Sequence, residues 1–164
     1  MAAAPTPKAK AVKVPDAVTL LKSDHKQVKE WFEEFKIATS SKTKQQLATD
    51  ICNALTVHTT IEEEIFYPAF LAATKDKDMH HEAIIEHNGA KKLIAEIGSS
   101  DPSDDYYDSK VHVLSEMIKH HVKEEEQKDG MFDEAQQSEQ MNLAELGELL
   151  FERKNELLAE REGR

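Results

Sequence analysis

The chain has one cysteine, Cys52, among its 164 residues. It can form no internal disulfide, which fits a reducing, cytoplasmic compartment. Glycine and proline number five each, and aromatic residues make up 6%. That scarcity excludes collagen-like and low-complexity chains and argues against a turn-rich sandwich. No apolar run approaches the roughly 20 residues of a membrane span. Basic residues are outnumbered, 21 Lys and Arg against 32 Asp and Glu, for a net charge of -11. An overall basic footprint for nucleic acid is absent, and an anionic membrane would repel the chain. Met1 to Pro15 is built from Ala, Pro and Lys without a hydrophobic core, so it is not a secretory signal and reads as a flexible basic tail.

What is present is helical spacing. The pattern predicts an all-α fold, an up-down-up-down four-helix bundle over residues 16–135, with residues 136–164 as an additional C-terminal amphipathic helix packed on it. Asp16 caps the first helix, which carries Val18, Leu21, Val28, Phe32 and Phe35 on one face. A second begins near Thr43 and runs close to Pro68. A third runs from about Asp78 to Gly98, with Asp101 and Pro102 expected to open the fourth, which ends near Gly130. Asn142, with Glu145 three residues on, resembles a capping box. It opens a stripe of Leu143, Leu146, Leu149, Leu150, Leu157 and Leu158.

Chemistry enters where the apolar pattern is broken. The inward slots of helix one read Val18, Leu21, His25, Val28, Phe32, Phe35. Helix two gives Leu55, His58, Glu62, Ile65; helix three Ile84, His87, Ile94; helix four Leu114, Ile118, His121, Glu125. A carboxylate buried without a partner costs several kcal/mol, so Glu62 and Glu125 require compensation. Residues four apart share a helix face, so His58 with Glu62, and His121 with Glu125, can each grip one cation. Imidazole plus carboxylate without thiolate suits iron, manganese or zinc. His25 and His87 are 62 residues apart and His58 and His121 are 63 apart, which suggests a pseudo-twofold site with one metal per half. Taken alone, His25 reads as a hydrogen-bonded core histidine; the set of six changes that reading. In helix four, His120 with Glu124 offers a competing register.

These residues match a known pattern. Ser23-Asp24-His25, His58-Thr-Thr-Ile-Glu62 followed by Glu63-Glu64-Ile65-Phe66-Tyr67-Pro68, Glu86-His87-Asn88 and His120-His121-Val122-Lys123-Glu124-Glu125 resemble the hemerythrin-like (HHE cation-binding) family, across roughly Val18 to Phe132. The resemblance implies two non-haem iron ions, oxo- or hydroxo-bridged, held by His25, His58, His87 and His121 with Glu62 and Glu125 as bridging carboxylates. It also implies O2 binding or sensing, iron handling or a stress-response role, with turnover of peroxide or NO as the enzymatic alternative. Oligomeric state stays open, and neither nucleic acid nor membrane is an expected partner.

Two departures stand out. Oxygen-carrying relatives have another histidine where this chain has Lys91, and the second half ends in the longer Lys128-Asp129-Gly130-Met131-Phe132-Asp133. One iron is therefore short of a ligand. Glu63, Glu86, His81, Tyr67, Tyr106 and Tyr107 are substitutes that spacing does not rank. Lys91 reads as snorkelling outward. Glu63, Glu64 and Glu126 read as solvated helix faces, His80, His81 and His112 as surface residues, Phe66 and Phe132 as core or site walls, and Cys52 as core packing.

Overall fold

The computed structural model describes residues 12–163, so all but the last four residues of the expected N-terminal tail lie outside the described residues. The described residues are helical and contain no strand. Seven α-helices follow in order: α1 Ala17–Ile37, α2 Ser41–Ile61, α3 Tyr67–Thr74, α4 Lys77–Gly98, α5 Tyr107–Glu126, α6 Met131–Gln137 and α7 Leu143–Glu162. A π-helical segment, Glu62–Phe66, joins α2 to α3 in one continuous rod. α1, the α2 rod, α4 and α5 form the expected four-helix bundle, each packed on its neighbours in a closed ring. α7 lies across α1, α2 and the π segment.

The helix starts follow capping chemistry. The Asp16 carboxylate accepts from the Thr19 N–H, Ser40 Oγ from Thr43, and Asp76 Oδ1 from Met79, each satisfying one orphan donor of a first turn. Asn142 caps α7 by accepting from Glu145, as the sequence predicts. The Asp101–Pro102 start does not hold. Asp101 instead folds a turn, accepting from both the N–H and the Oγ of Ser103, and α5 opens at Tyr107. α5 also ends earlier than expected, at Glu126. Gly130 then precedes the short α6, which the long second-half ending supplies and periodicity over so few residues does not reveal.

Two apolar clusters stack along the bundle. One joins Leu21, Phe66, Phe70, Phe132 and Leu150; the other joins Phe32, Phe35, Ile51, Leu55 and Leu114. Of the leucine stripe, Leu150 is buried, Leu143, Leu146 and Leu157 pack at the edge of the first cluster, and Leu149 and Leu158 face outward. The polar layer of His25, His58, His87 and His121 falls between the clusters, so each side of it is closed by packed hydrocarbon.

Gly147 marks where α7 crosses the start of α1. A Cβ there would meet the Pro15 carbonyl and lie 2.8 Å from Asp16 Cα. Alanine ordinarily improves a helix over glycine by up to about 1 kcal/mol. Here backbone crowding outweighs propensity, and Gly147→Ala is expected to destabilise by about 1–3 kcal/mol. Gly98, at the end of α4, has nothing within 4 Å of the corresponding Cβ position. Gly98→Ala should be neutral or stabilising. Urea denaturation of the two variants checks the sign, and a more stable Gly147→Ala would show that α7 does not press on α1 as described.

Candidate metal centre

All six sequence-predicted residues meet at the bundle centre, and all six are buried. Glu62 and Glu125 are the most deeply enclosed. The helix-four register is His121 with Glu125; His120 points outward, its side chain 60% exposed.

The donor atoms fall into two sets. His25 Nε2 lies 3.1 Å from His58 Nε2 and 3.4 Å from Glu125 Oε1, and His58 Nε2 lies 3.0 Å from Glu62 Oε1. In the other set, His87 Nε2 lies 3.1 Å from both His121 Nε2 and Glu62 Oε2, and His121 Nε2 lies 3.1 Å from Glu125 Oε1. Nitrogen and carboxylate donors sit about 2.1 Å from a transition-metal ion, so two donors at right angles are about 3 Å apart. The observed separations are the edges of such polyhedra. Glu62 gives one oxygen to each set, as a bridging carboxylate would.

Hydrogen bonding does not account for this convergence. Glu62 Oε1 and Glu125 Oε1 have no hydrogen-bond partner although both are buried. Three of the four imidazoles commit their Nδ1 to a carboxylate behind them, which leaves the Nε2 lone pairs facing one another. Buried lone pairs in opposition are costly unless a cation lies between them. The residues present therefore fit two metal ions, one per set, with His25, His58, Glu62 and Glu125 able to hold the first and Glu62, His87 and His121 the second.

Tyr67 completes the second set. Its Oη lies 2.8 Å from Glu62 Oε2, 3.0 Å from His87 Nε2, 3.1 Å from His121 Nε2 and 3.1 Å from Glu125 Oε2. In an uninterrupted α-helix, five residues turn through about 500°, which would place Tyr67 about 140° round from Glu62. The π segment removes that offset. The Tyr67 N–H bonds to the Glu62 carbonyl, an i to i+5 link, so the two side chains stack on one face. Pro68, which cannot donate to a carbonyl one turn back, follows immediately and favours the widened turn. Among the substitutes for the missing histidine, Tyr67 is the one that reaches the centre. Tyr106 is exposed and Tyr107 packs in the distal core.

Behind the imidazoles lies a second layer that the sequence reading missed. His58 Nδ1 donates to Asp24 Oδ2 at 2.9 Å, His87 Nδ1 to Glu63 Oε2 at 3.2 Å, and His121 Nδ1 to Glu86 Oε1 at 3.0 Å. His25 Nδ1 lies 3.6 Å from Glu126 Oε1, an ion contact too long for a hydrogen bond. Each of these acids is the sequence neighbour of a donor on its own helix and serves the histidine of the next helix. Asp24 of α1 reaches α2, Glu63 reaches α4, Glu86 reaches α5, and Glu126 reaches back to α1. Adjacent helical residues are about 100° apart, so a side chain beside an inward one points along the seam. An acid flanking each inward ligand was the available signal.

Three of the four acids are backed by a basic side chain. Lys154 of α7 grips Asp24, and Lys91 bonds Glu63 at 2.7 Å. His120 Nε2 lies 3.0 Å from Glu86 Oε2. Lys91 therefore stands behind His87 instead of merely snorkelling. Glu63 and Glu126 are not plain solvated faces, and Glu64 is bound to Arg153 of α7. His80 is half-buried, its ring edge-on to Tyr67 at 6.2 Å, whereas His81 and His112 are exposed. Phe132, brought by α6, stacks on His25 at 5.8 Å and is itself crossed by Phe66. Cys52 is buried, which pushes its thiol up to about 11, so it is inert packing.

The Hemerythrin HHE cation binding domain profile matches residues 16–131. The chain belongs to the hemerythrin HHE cation-binding domain family. A crystal structure of a hemerythrin HHE cation-binding domain-containing protein from Mycobacterium kansasii superposes with a TM-score of 0.72 over 87% of each chain, at 23% identity, and so shares the fold. A DNA nickase from Nostoc sp. is 27% identical over 107 residues, 65% of this chain. The match spans 30% of that relative's length.

In the metal-stripped HHE chain, protons take over the balancing role. Burial opposes charge on His58, but Glu62 and Asp24 overcome it and push its pKa up to about 10. His121 is also raised well above its usual range, burial being outweighed by Glu125 and Glu86. Glu62 is held well below the carboxylate range because His58 and His87 outweigh its burial. The raised histidines stabilise the fold fully below about pH 6.5 and lose that contribution as pH rises toward 10. The lowered Glu62 contributes above about pH 4.5 and loses that on acidification. Metal-stripped protein should thus melt highest between about pH 4.5 and 6.5 and fall toward pH 9. Metal-loaded protein, whose donors are already deprotonated, should diverge upward from it. Thermal melts with and without chelator at pH 5.5, 7.5 and 9 check this, and a flat metal-free series would contradict it.

The ring of outer acids carries its own test. Glu86→Gln should weaken metal binding about 10–100-fold, as loss of a carboxylate behind a ligating histidine does. Glu82→Gln, on the exposed flank one turn away, should not. Competition against a calibrated chelator reads both; equal affinities would make the ring merely structural.

Proposed function

We propose that this HHE domain holds two iron ions and uses them to bind O2 or a related small ligand in the cytoplasm. The observation that carries the reading is the pair of donor sets sharing Glu62, with coordination-edge spacings and unpartnered carboxylate oxygens. Two adjacent irons, when bound, can together exchange two electrons with a small oxygen- or nitrogen-containing molecule. Iron is preferred to manganese or zinc from family membership, because the donor types admit all three.

The chain's own residues supply the rest. Glu62 and Glu125 bring two negative charges to a site otherwise lined by neutral imidazoles. Asp24, Glu63 and Glu86 hold the rings in the tautomer that presents Nε2 inward. Phe66 and Phe132 close one side against bulk water. Tyr67, wedged among four donor atoms, gives the two sets different character: the His87–His121 set gains a phenol, and the His25–His58 set does not.

That asymmetry favours the second reading, turnover of peroxide or NO, over reversible carriage. A phenolate is an anionic donor that would favour the ferric state of an ion held there, a preference that opposes simple uptake and release of O2, which needs ferrous iron. A DNA-nicking role is disfavoured for this chain. The match covers 30% of that protein, and a net charge of -11 opposes contact with a phosphate backbone.

Iron analysis and visible spectroscopy of the protein purified in air test the reading. About two irons per chain are expected, falling to one or fewer in Glu62→Ala. A phenolate-to-iron charge-transfer band should be lost in Tyr67→Phe while the remaining iron absorption persists. Peroxide consumption abolished by Glu62→Ala supports the enzyme; a reversible spectral change on O2 exposure without turnover supports the binder. No iron after anaerobic ferrous loading would sink both.

A further inference from the structure

Away from the metal centre, one seam of the bundle is left uncovered. α7 lies over α1 and α2, and α6 over α5 and α3, but between α1 and α5 a cleft of about 420 Å³ stays open. Its rims are lysine stripes at helical spacing, Lys22, Lys26 and Lys29 on α1 and Lys119 and Lys123 on α5. Glu33 and Glu126 are the carboxylates on it. Glu33 is already taken up by Lys36 at 3.0 Å, and Glu126 faces His25. Five lysines against two engaged carboxylates is a strong local reversal in a chain of net charge -11. Among the described residues, Lys22, Lys26, Lys29 and Lys123 make no ion pair within 4.0 Å; Lys22 acts on Glu126, and Lys29 on Glu33, only at longer range.

The floor between the stripes is hydrocarbon: Phe32, Ile118 and Val122. It does not end there. A second cleft of about 210 Å³ shares Phe32 and Ser115 with the first and continues the apolar floor along the same seam to Phe35 and Val111. Ser115 stands at the junction. It is 3% exposed, yet its hydroxyl has no hydrogen-bond partner. A buried helical serine ordinarily bonds the carbonyl one turn back, and an unpaired buried hydroxyl costs about 1–3 kcal/mol. An unsatisfied donor, surplus positive charge and an elongated apolar trough therefore coincide on one seam.

We propose that this seam binds an amphipathic monocarboxylate of the fatty-acid class, its carboxylate between the lysine stripes at the Ser115 junction, where the unpaired hydroxyl can donate to it, and its chain along Phe32 toward Phe35 and Val111. Neither half of the site suffices for another ligand class. A small inorganic anion would leave the hydrocarbon trough wet, and a neutral apolar molecule would leave the lysines unanswered. The combined volume lies within the range of small-molecule sites, roughly 300–1,000 Å³. His25 and Glu126 also line the cleft, but the proposal does not rest on the metal reading, because the ligand contacts it invokes are the lysines, Ser115 and the hydrocarbon floor.

Isothermal titration of the purified full chain with dodecanoate, below its micellar concentration, tests it. One saturable site in about the micromolar range is expected, with dodecanol and inorganic phosphate each about tenfold weaker or more. The double variant Lys26→Glu with Lys123→Glu, both at exposed positions, should weaken dodecanoate about tenfold or more. Lys77→Glu, on the exposed start of α4, should leave it unchanged, and circular dichroism establishes that both variants fold. Several results would overturn the proposal. Absence of saturable binding is one, and affinity unaltered in the double variant is another. Equal affinity for dodecanol would make the seam merely greasy. Displacement of dodecanoate by a short DNA duplex, lost in the same variant, would make it a polyanion surface.

Discussion

Two carboxylates at the centre of a hydrophobic bundle set the terms for everything around them. Glu62 and Glu125 are taken wholly out of water, at a desolvation cost of several kcal/mol each unless positive charge or metal meets them. The molecule answers in layers. Four imidazoles face the carboxylates, four outer acids stand around those imidazoles, and Lys154, Lys91 and His120 stand behind three of the acids. Acidic and basic groups therefore alternate outward from the centre, each layer meeting groups that can complement it. The layers also link the helices in a cycle, because each outer acid belongs to one helix and faces the histidine of the next, three of the four through a hydrogen bond. Replacing one acid is therefore a change to a neighbouring helix's donor.

The π segment shows the same constraint acting on the backbone. A π turn weakens the regular hydrogen-bond ladder, and a sequence tolerates it where something else compensates. Here it brings Tyr67 onto the face of Glu62, filling the space beside His87 and His121 with a group that bonds directly to both buried carboxylates. Burial and the two carboxylates drive the Tyr67 pKa well up, so without a metal the phenol stays protonated and donates. A metal cation at the same place would reverse that preference, since cation binding deprotonates its ligands. Tyr67 can thus serve the site with or without an ion.

Much of this was legible beforehand. The helices and their bundle follow from period-3.6 patterning, and the six central residues announce themselves by occupying slots that should be apolar. Asp16 and Asn142 are readable caps. Other features were hidden for specific reasons. α6 spans less than two turns of pattern, and Asp101 is as good a turn former as a cap. Tyr67 falls on the wrong face at 3.6 residues per turn and reaches the centre only through the π segment. Asp24, Glu63, Glu86 and Glu126 look like solvated residues because each is one position off the inward stripe. Their partners lie on another helix, which no single-helix periodicity can display.

The two halves of the repeat end up unequal. The first half carries the π turn, and the second carries the loop and α6 that lay Phe132 on His25. The donor set with His87 and His121 is crowded by Tyr67, and the set with His25 and His58 is walled by an aromatic ring and lies behind the α1–α5 seam, whose cleft His25 itself lines. The asymmetry has two local causes: one extra residue in a helical turn brings a phenol to one donor set, and the longer second-half ending brings an aromatic ring to the other, while the twofold plan of the six central residues is kept.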